Sequence, residues 1–288
     1  MDVSTECIVM VDTSYYSKYS ANAAWRKIKD DFNLSEDENF DPMTIQEYRE
    51  AYSGYFLFGL DEIVGRHFPI HSGSNFLFCM DSKRSDIWRK AIFPGYKHQR
   101  DLTKKKFSYK NIDDWTERYI KSHNMERGSR HIKVNGAEAD DIFKVMVDHI
   151  SNVYPHLMIL IVSGDSDLLQ LGGDNVIQID AHGELLTISY RLKKDKVEFE
   201  PTPLNYLRYK IMTGDTSDSI PSIKHGKCGP KKAASLVKDP EEMVKFIKSD
   251  SEISEAFVRN ATLIDLSKTP QILCESILNQ WNSFDATI

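Results

Sequence analysis

The sequence predicts an α/β protein with a mostly parallel central sheet flanked by helices and a helical C-terminal lobe; three observations carry that expectation. Four short apolar runs, at residues 7–11, 76–80, 158–162 and 176–179, are each closed by polar or turn residues, as buried strands are. Helical patterns lie between them, at about 45–67, 112–123 and 139–152, and strands alternating with helices indicate parallel pairing. Past about Pro201 the strand signal stops and helical patterns follow one another.

Taken in order, the first run, Ile8-Val9-Met10-Val11, ends in Asp12, and the second, Leu77-Phe78-Cys79-Met80, ends in Asp81. The third passes from Ile161-Val162 into Ser163-Gly164-Asp165-Ser166-Asp167. After the fourth, the turn at His182-Gly183 leads to residues 184–190, which read as one more strand. The C-terminal helices are expected at 204–212, 231–237, 241–247, 253–266 and 272–281, separated by turn residues such as Gly214-Asp215 and Asp239-Pro240. A core over 1–200 and a helical lobe over 201–288 suit the length of 288 residues.

No apolar run approaches the roughly 18 residues that span a bilayer, so a membrane partner is not expected. The start, Met1-Asp2-Val3-Ser4-Thr5-Glu6, lacks the basic stretch of a secretory signal, and an intracellular setting is expected. Cys7, Cys79, Cys228 and Cys274 are scattered without metal-ligand spacing, so neither a disulfide nor a zinc site is expected. The net charge of −6 argues at first against a nucleic-acid partner, but charge is strongly separated along the chain. Residues 83–110 hold ten basic side chains (Lys83, Arg84, Arg89, Lys90, Lys97, Arg100, Lys104, Lys105, Lys106, Lys110) against the acids Asp86 and Asp101. Charge alone would leave a solvated face as the better reading; that density also suits a phosphate-contacting surface.

The acids carry the functional argument. In open parallel sheets sites form outside the carboxyl ends of strands, and Asp12, Asp81 and Asp165 with Asp167 close three of the predicted strands. Glu138, Asp140 and Asp141 open a helix, with Glu138 and Asp141 three apart on one face, and Asp215 and Asp218 repeat that spacing after another helix. Any one of these is most simply a turn or cap residue. Five clusters falling at one rim are not so easily explained. Nine carboxylates cannot converge without counter-ions, and an all-oxygen set suits hard cations, magnesium or manganese above all. Two such ions about 4 Å apart would ionise a water and stabilise the leaving oxygen in phosphodiester hydrolysis. An EF-hand is excluded, because Leu168 and Leu169 follow Asp167 where oxygen ligands would be needed. Removing nine negative charges from −6 leaves the rest of the chain at +3, so the acidity is concentrated in the expected site.

Val11-Asp12, Cys79-Met80-Asp81, Trp88-Arg89-Lys90, Tyr96-Lys97-His98-Gln99-Arg100 and the acidic segments 136–141, 163–167 and 214–218 run in one order from about residue 8 to 266. In that order they resemble the 5′-nuclease superfamily of flap endonucleases and polymerase 5′-nuclease domains, most of all its phage branch, the T-even type of ribonuclease H. The resemblance implies a PIN-like fold and magnesium-dependent 5′→3′ exonuclease and flap endonuclease activity, with two magnesium ions that manganese can replace. Asp12, Asp81, Glu138, Asp140 and Asp165 would lie nearest the scissile phosphate, with Asp81 and Asp165 indispensable for cleavage. Asp141, Asp167, Asp215 and Asp218 would complete the outer or second-metal shell.

The same resemblance implies a helical arch over about 83–123, where Lys97 and Arg100 neutralise the transition state and Lys83, Arg84, Arg89, Lys104 and Lys105 contact the nucleic acid. Tyr96 would stack on a base or, equally, pack as a core aromatic. A helix–three-turn–helix would grip the duplex through Gly226, Gly229, Lys231 and Lys232. The family often holds potassium there, but Ser222 stands in place of the usual glycine and the turn is longer, which weakens the case for that ion. Branched or nicked duplex DNA and RNA–DNA hybrids with a 5′ end are the implied partners of a monomer in a phage-infected bacterial cytoplasm, with a sliding clamp or single-strand-binding protein as replication partners. Two rivals remain: an inactive branched-DNA-binding protein, and a PIN-type ribonuclease on single-stranded RNA.

Overall fold

The computed structural model describes residues 7–68, 75–122, 129–223 and 228–285. Residues 1–6, His123 at the expected end of a helix, and residues 224–227 of the expected duplex-binding turn, Gly226 among them, lie outside these. In chain order β1 (Cys7–Asp12) runs directly into α1 (Thr13–Ile28), followed by α2 (Gln46–Gly65), β2 (Asn75–Cys79) and the short helices α3 (Trp88–Ile92) and α4 (His98–Leu102). Then come α5 (Lys110–Ser122), β3 (Arg130–Ile132), α6 (Ala139–Val153), β4 (Met158–Val162), β5 (Val176–Ile179) and α7 (Ile188–Asp195). The chain ends with α8 (Pro203–Thr213), α9 (Pro230–Lys238), α10 (Pro240–Lys248), α11 (Ser251–Ile264) and α12 (Gln271–Asp285).

The strands form one sheet in the order β3-β2-β1-β4-β5, and every neighbouring pair is parallel. The four expected buried strands are therefore present, and the short edge strand β3 is added to them. Successive side chains of a strand point to opposite faces, so a continuous apolar run is needed where both faces are covered. In β1, Val9 and Val11 face one layer with α1 and α2, while Ile8 and Met10 face the other with α6. Ile8 to Val11 are all at most 4% exposed, as that argument requires.

Helix α12 does not stay with the C-terminal helices. Its Leu273, Ile277 and Trp281 join the core beneath α6 and the sheet, so the end of the chain closes the second face of the α/β layer. A separate core lies among α7 to α10, and a small cluster of Ile87, Tyr96, Ile211, Ile220, Leu263 and Ile264 ties the basic segment to α8 and α11. The expected strand at 184–190 is corrected. Leu185 makes only an isolated antiparallel bridge to Ile179, and α7 begins at Ile188, because Thr187 caps the helix by accepting from Tyr190 N. The basic segment is held on both sides. Lys97 N donates to Asp218 O at 2.8 Å on one side. Phe107, fully buried against Trp25 and Tyr48, pins the other. Among the described residues no helix is long and apolar enough to cross a membrane.

Candidate active site

Each rim acid is placed by the element it terminates. Asp12 closes β1 and caps α1, accepting from Tyr15 N (3.0 Å) and from the Ser163 hydroxyl (3.0 Å). Asp81, just past β2, accepts from Ala139 N at 2.9 Å and so holds the first turn of α6, which carries Asp140. Asp165 follows β4 and caps the 3-10 turn Ser166–Leu171 by accepting from Asp167 N (2.8 Å). Gly164 lets β4 come this close to α1: a Cβ there would lie 2.7 Å from the Tyr15 ring. The cap function weighed for single aspartates is thus real for Asp12 and Asp165, and it fixes their carboxylates at the rim.

A cleft of about 620 Å³ lies over this rim, lined by Asp12, Asp81, Asp140, Asp165 and Asp215 together with Lys97, Arg100 and Lys210. A second cleft of about 460 Å³, between α1, α5 and the basic segment, shares Asp81, Lys97 and Arg100 with the first. Lys83 and Arg84 line it. Ser14 and Lys18, one turn apart on α1, border both clefts.

The nine acids divide by their counter-ions. Among the described residues no lysine or arginine forms an ion pair with Asp12, Asp81, Asp140 or Asp165. Burial and the neighbouring Asp81 raise the Asp12 carboxyl to about 6. Burial and Asp165 push Asp140 well up, against the pull of Lys97. The other five are neutralised. Asp167 and Asp215 share Lys210, whose Nζ lies 2.9 Å from Asp167 Oδ1 and 2.7 Å from Asp215 Oδ2. Burial still raises Asp167 to about 7, with Asp165 and Asp215 adding to it. Burial opposes ionisation of Asp215 too, but Lys210 and the Ser217 donors hold it at about 2. Asp218 takes Arg100, Lys97 and the Tyr96 hydroxyl; burial raises its carboxyl while the two cations pull it down.

Glu138 and Asp141 are turned inward. Glu138, 1% exposed, is held by Lys97, Arg89 and the Tyr96 hydroxyl. Burial alone would raise its carboxyl, but Lys97 and Arg89 lower it. Asp141 has no exposed surface and accepts from Arg89 Nη1 and Nη2, Trp88 Nε1, Thr269 Oγ1 and the backbone N of Glu138. With its oxygens so committed, Asp141 ties α3, the start of α6 and Thr269 together. Glu138 is likewise occupied by the cations that pair with it.

Two of the expected nucleic-acid contacts are also corrected. Arg89 is 1% exposed and spends its guanidinium on Glu138, Asp141 and the carbonyl of Leu263 at the end of α11. Tyr96, 2% exposed, packs with Ile87 and Leu263 and points its hydroxyl at Glu138 and Asp218, so the packed alternative holds and no ring face is free to stack. Lys83, Arg84, Lys104 and Lys105 are exposed, as are Lys231 and Lys232 at the start of α9, with Gly229 as its N-cap. Lys97 sits in the left-handed region (φ 59°) as the N-cap of α4, which turns its ammonium inward. The sequence reading missed Lys18, Lys210 and Thr269. Lys210, in the last turn of α8, reads as an ordinary helix-end cation, and only the reversal at Gly214 brings Asp215 back to it.

The donor chemistry of Asp12, Asp81, Asp140 and Asp165 fits a hard divalent cation, since oxygens without a protein counter-ion are what such an ion takes. Among the described residues no three such side chains converge closely enough to hold one as they stand.

Comparison with known proteins agrees with this architecture. The family model "5′-3′ exonuclease, N-terminal resolvase-like domain" matches residues 56–200, which include Asp81, Lys97, Arg100, Asp140 and Asp165. Ribonuclease H of enterobacteria phage T4 is 24% identical over 227 residues, 72% of this chain and 70% of that protein. A 5′-3′ exonuclease of Aquifex aeolicus is 30% identical over 129 residues, but that match spans only 44% of this chain and 42% of the relative. A solved variant of the phage T5 5′-exonuclease superposes with a TM-score of 0.61 at 13% identity, over 96% of this chain and 98% of the other. A T5 flap endonuclease complex with DNA and metal ions gives 0.60 at 15% identity with the same coverage; both likenesses speak to fold. A parallel five-stranded sheet with an acidic rim, and a family match over residues 56–200, make this chain a member of the 5′-3′ exonuclease family of nucleases.

Proposed function

We propose that this chain is a magnesium-dependent 5′ nuclease, a 5′→3′ exonuclease and flap endonuclease on branched, nicked or RNA-primed DNA, serving primer removal or repair in replication. The observation that carries the reading is the division of the acids: four carboxylates that form no ion pair among the described residues share one cleft with Lys97 and Arg100. Asp12, Asp81, Asp140 and Asp165 would hold magnesium, or manganese in its place, and Asp167 and Asp215, with Asp218, a second ion. The bound metal supplies an ionised water and charge stabilisation for the leaving oxygen. Arg100, whose side chain is 39% exposed, would meet the scissile phosphate and neutralise charge as it develops. Lys97 would share that task from its buried place between Glu138 and Asp218. Arg89, through Glu138, would fix where Lys97 stands.

The second cleft carries Lys18, Lys83, Arg84 and Lys133 beside the acids Asp113, Asp114 and Glu117, and those cations would take the single-stranded 5′ end by its phosphates. Lys231 and Lys232, with the backbone at Gly229, would hold the duplex. Phosphate contacts and the bend of a branched duplex, not base sequence, would select the substrate. That the T5 relative is solved with DNA and metal ions supports a DNA substrate, and the T4 relative's name, ribonuclease H, supports an RNA primer strand. A product map on a 5′-flap DNA, an RNA-primed nick and an RNA hairpin, with and without magnesium, tests this. Magnesium-dependent cuts near the 5′ junction are expected. Binding without cuts would leave an inactive branched-DNA-binding protein, and cleavage of the RNA hairpin alone a PIN-type ribonuclease.

A further inference from the structure

Lys210 has no place in the reading above, yet it is held between two of the rim carboxylates. Its side chain is 12% exposed, and its ammonium lies 2.9 Å from Asp167 Oδ1 and 2.7 Å from Asp215 Oδ2. Asp215 is not free to leave: its Oδ1 accepts from Ser217 N (2.8 Å), Ser217 Oγ (2.6 Å) and Asp218 N (3.3 Å), which points Oδ2 at Lys210. The turn that returns Asp215 to α8 depends on Gly214, with φ +71° and room for no Cβ, since one would lie 2.4 Å from the carbonyl of Ile220. Asp167 is fixed through its backbone N–H, which donates to Asp165. One monovalent ammonium therefore bridges two carboxylates held by separate chain segments, the arrangement a divalent ion would otherwise make.

We infer that Lys210 is a built-in counter-ion for the Asp167–Asp215 pair, and that a second divalent cation binds there only in exchange for it. The inference rests on the metal-dependent reading and adds an order to it: one ion binds readily at Asp12, Asp81, Asp140 and Asp165, and the second competes with Lys210. A divalent ion placed between the same oxygens would meet the ammonium at contact distance, so the two cannot share the pair. The flexible four-carbon stem of lysine lets the displaced ammonium swing into the cleft that Lys210 lines.

The test is a manganese titration of the metal-stripped full chain, read by the electron paramagnetic resonance of free Mn2+. The unsubstituted protein is expected to take up one ion, and a second about tenfold or more weaker. In Lys210→Met the second ion should tighten by about tenfold or more, while Lys210→Arg keeps the original pattern. Thermal melting in chelator gives a second readout: Lys210→Met should melt below the unsubstituted chain and gain more from Mn2+. Two equally tight ions in the unsubstituted chain would overturn the inference without recourse to any variant. So would an unchanged or weakened second ion in Lys210→Met, while the nuclease reading stood. No ion bound by either protein would sink the metal-dependent reading itself.

Discussion

At the scale of single residues, the division between bare and neutralised carboxylates makes distinct predictions. Asp81→Ala and Asp165→Ala should each abolish cleavage of a 5′-flap substrate while leaving its binding within a few fold; retained turnover would rule out the proposed roles. Asp12 and Asp167 also make the metal-free protein sensitive to pH. Their folded values of about 6 and about 7 lie above the ordinary 3.8, so between about pH 4 and 7 the folded chain holds more protons than the unfolded one. Stability contributed by these groups therefore falls as pH rises through that window. His131, whose imidazole is depressed by burial, works in the opposite direction, so the comparison needs a variant. In chelator, the melting temperature of the unsubstituted protein minus that of Asp167→Asn should fall from pH 4.5 to 7.5, with magnesium flattening the difference. A flat difference in chelator would show that Asp167 does not titrate there. The rim positions of Asp12, Asp81 and Asp165 were legible because each directly follows a strand. The saturation of Asp141 was not, because its partners Arg89 and Thr269 lie 52 and 128 residues away.

At the scale of elements, Arg89 joins three pieces of chain: α3, the start of α6 and the end of α11. A motif rich in lysine and arginine reads as a surface, and for Lys83, Arg84, Lys104 and Lys105 it is one. Arg89 departs because a five-residue helix has one face against the core, and a guanidinium there needs buried carboxylates to be tolerated. Arg89→Met should cost about 3–5 kcal/mol in urea unfolding, since it strands Glu138 and Asp141 without a cation. Because Glu138 holds Lys97, the same variant should lose cleavage rate more than affinity; a loss of under about 1 kcal/mol would show that the clamp is not needed. The strand expected at 184–190 failed for a local reason. Alternating apolar residues do not distinguish an edge strand from a bridge followed by a capped helix, and the hydroxyl of Thr187 decides it.

At the scale of the whole molecule, the chain is acidic at −6 but concentrates cations on the basic segment and at the start of α9, so binding to DNA should weaken steeply with salt. Replacing Lys104 and Lys105 with glutamate should lower affinity for every substrate alike and flatten that slope, whereas a sequence-dependent loss would contradict phosphate recognition. Closure of the sheet depends on the end of the chain: Trp281→Ala should cost about 3–5 kcal/mol, measured by denaturant unfolding, although it lies far from the acids in sequence. Four of the five strands, their parallel pairing and the rim on which the acids stand are legible in the sequence, because both-face burial and the residue after a strand are local properties; the three-residue edge strand β3 is too short to leave such a pattern. The tertiary structure alone decided which acids remain free. Whether a carboxylate meets a lysine depends on contacts such as Lys97 with Glu138 or Lys210 with Asp167, made between segments 41 and 43 residues apart, and no local pattern records which distant cation folds onto it.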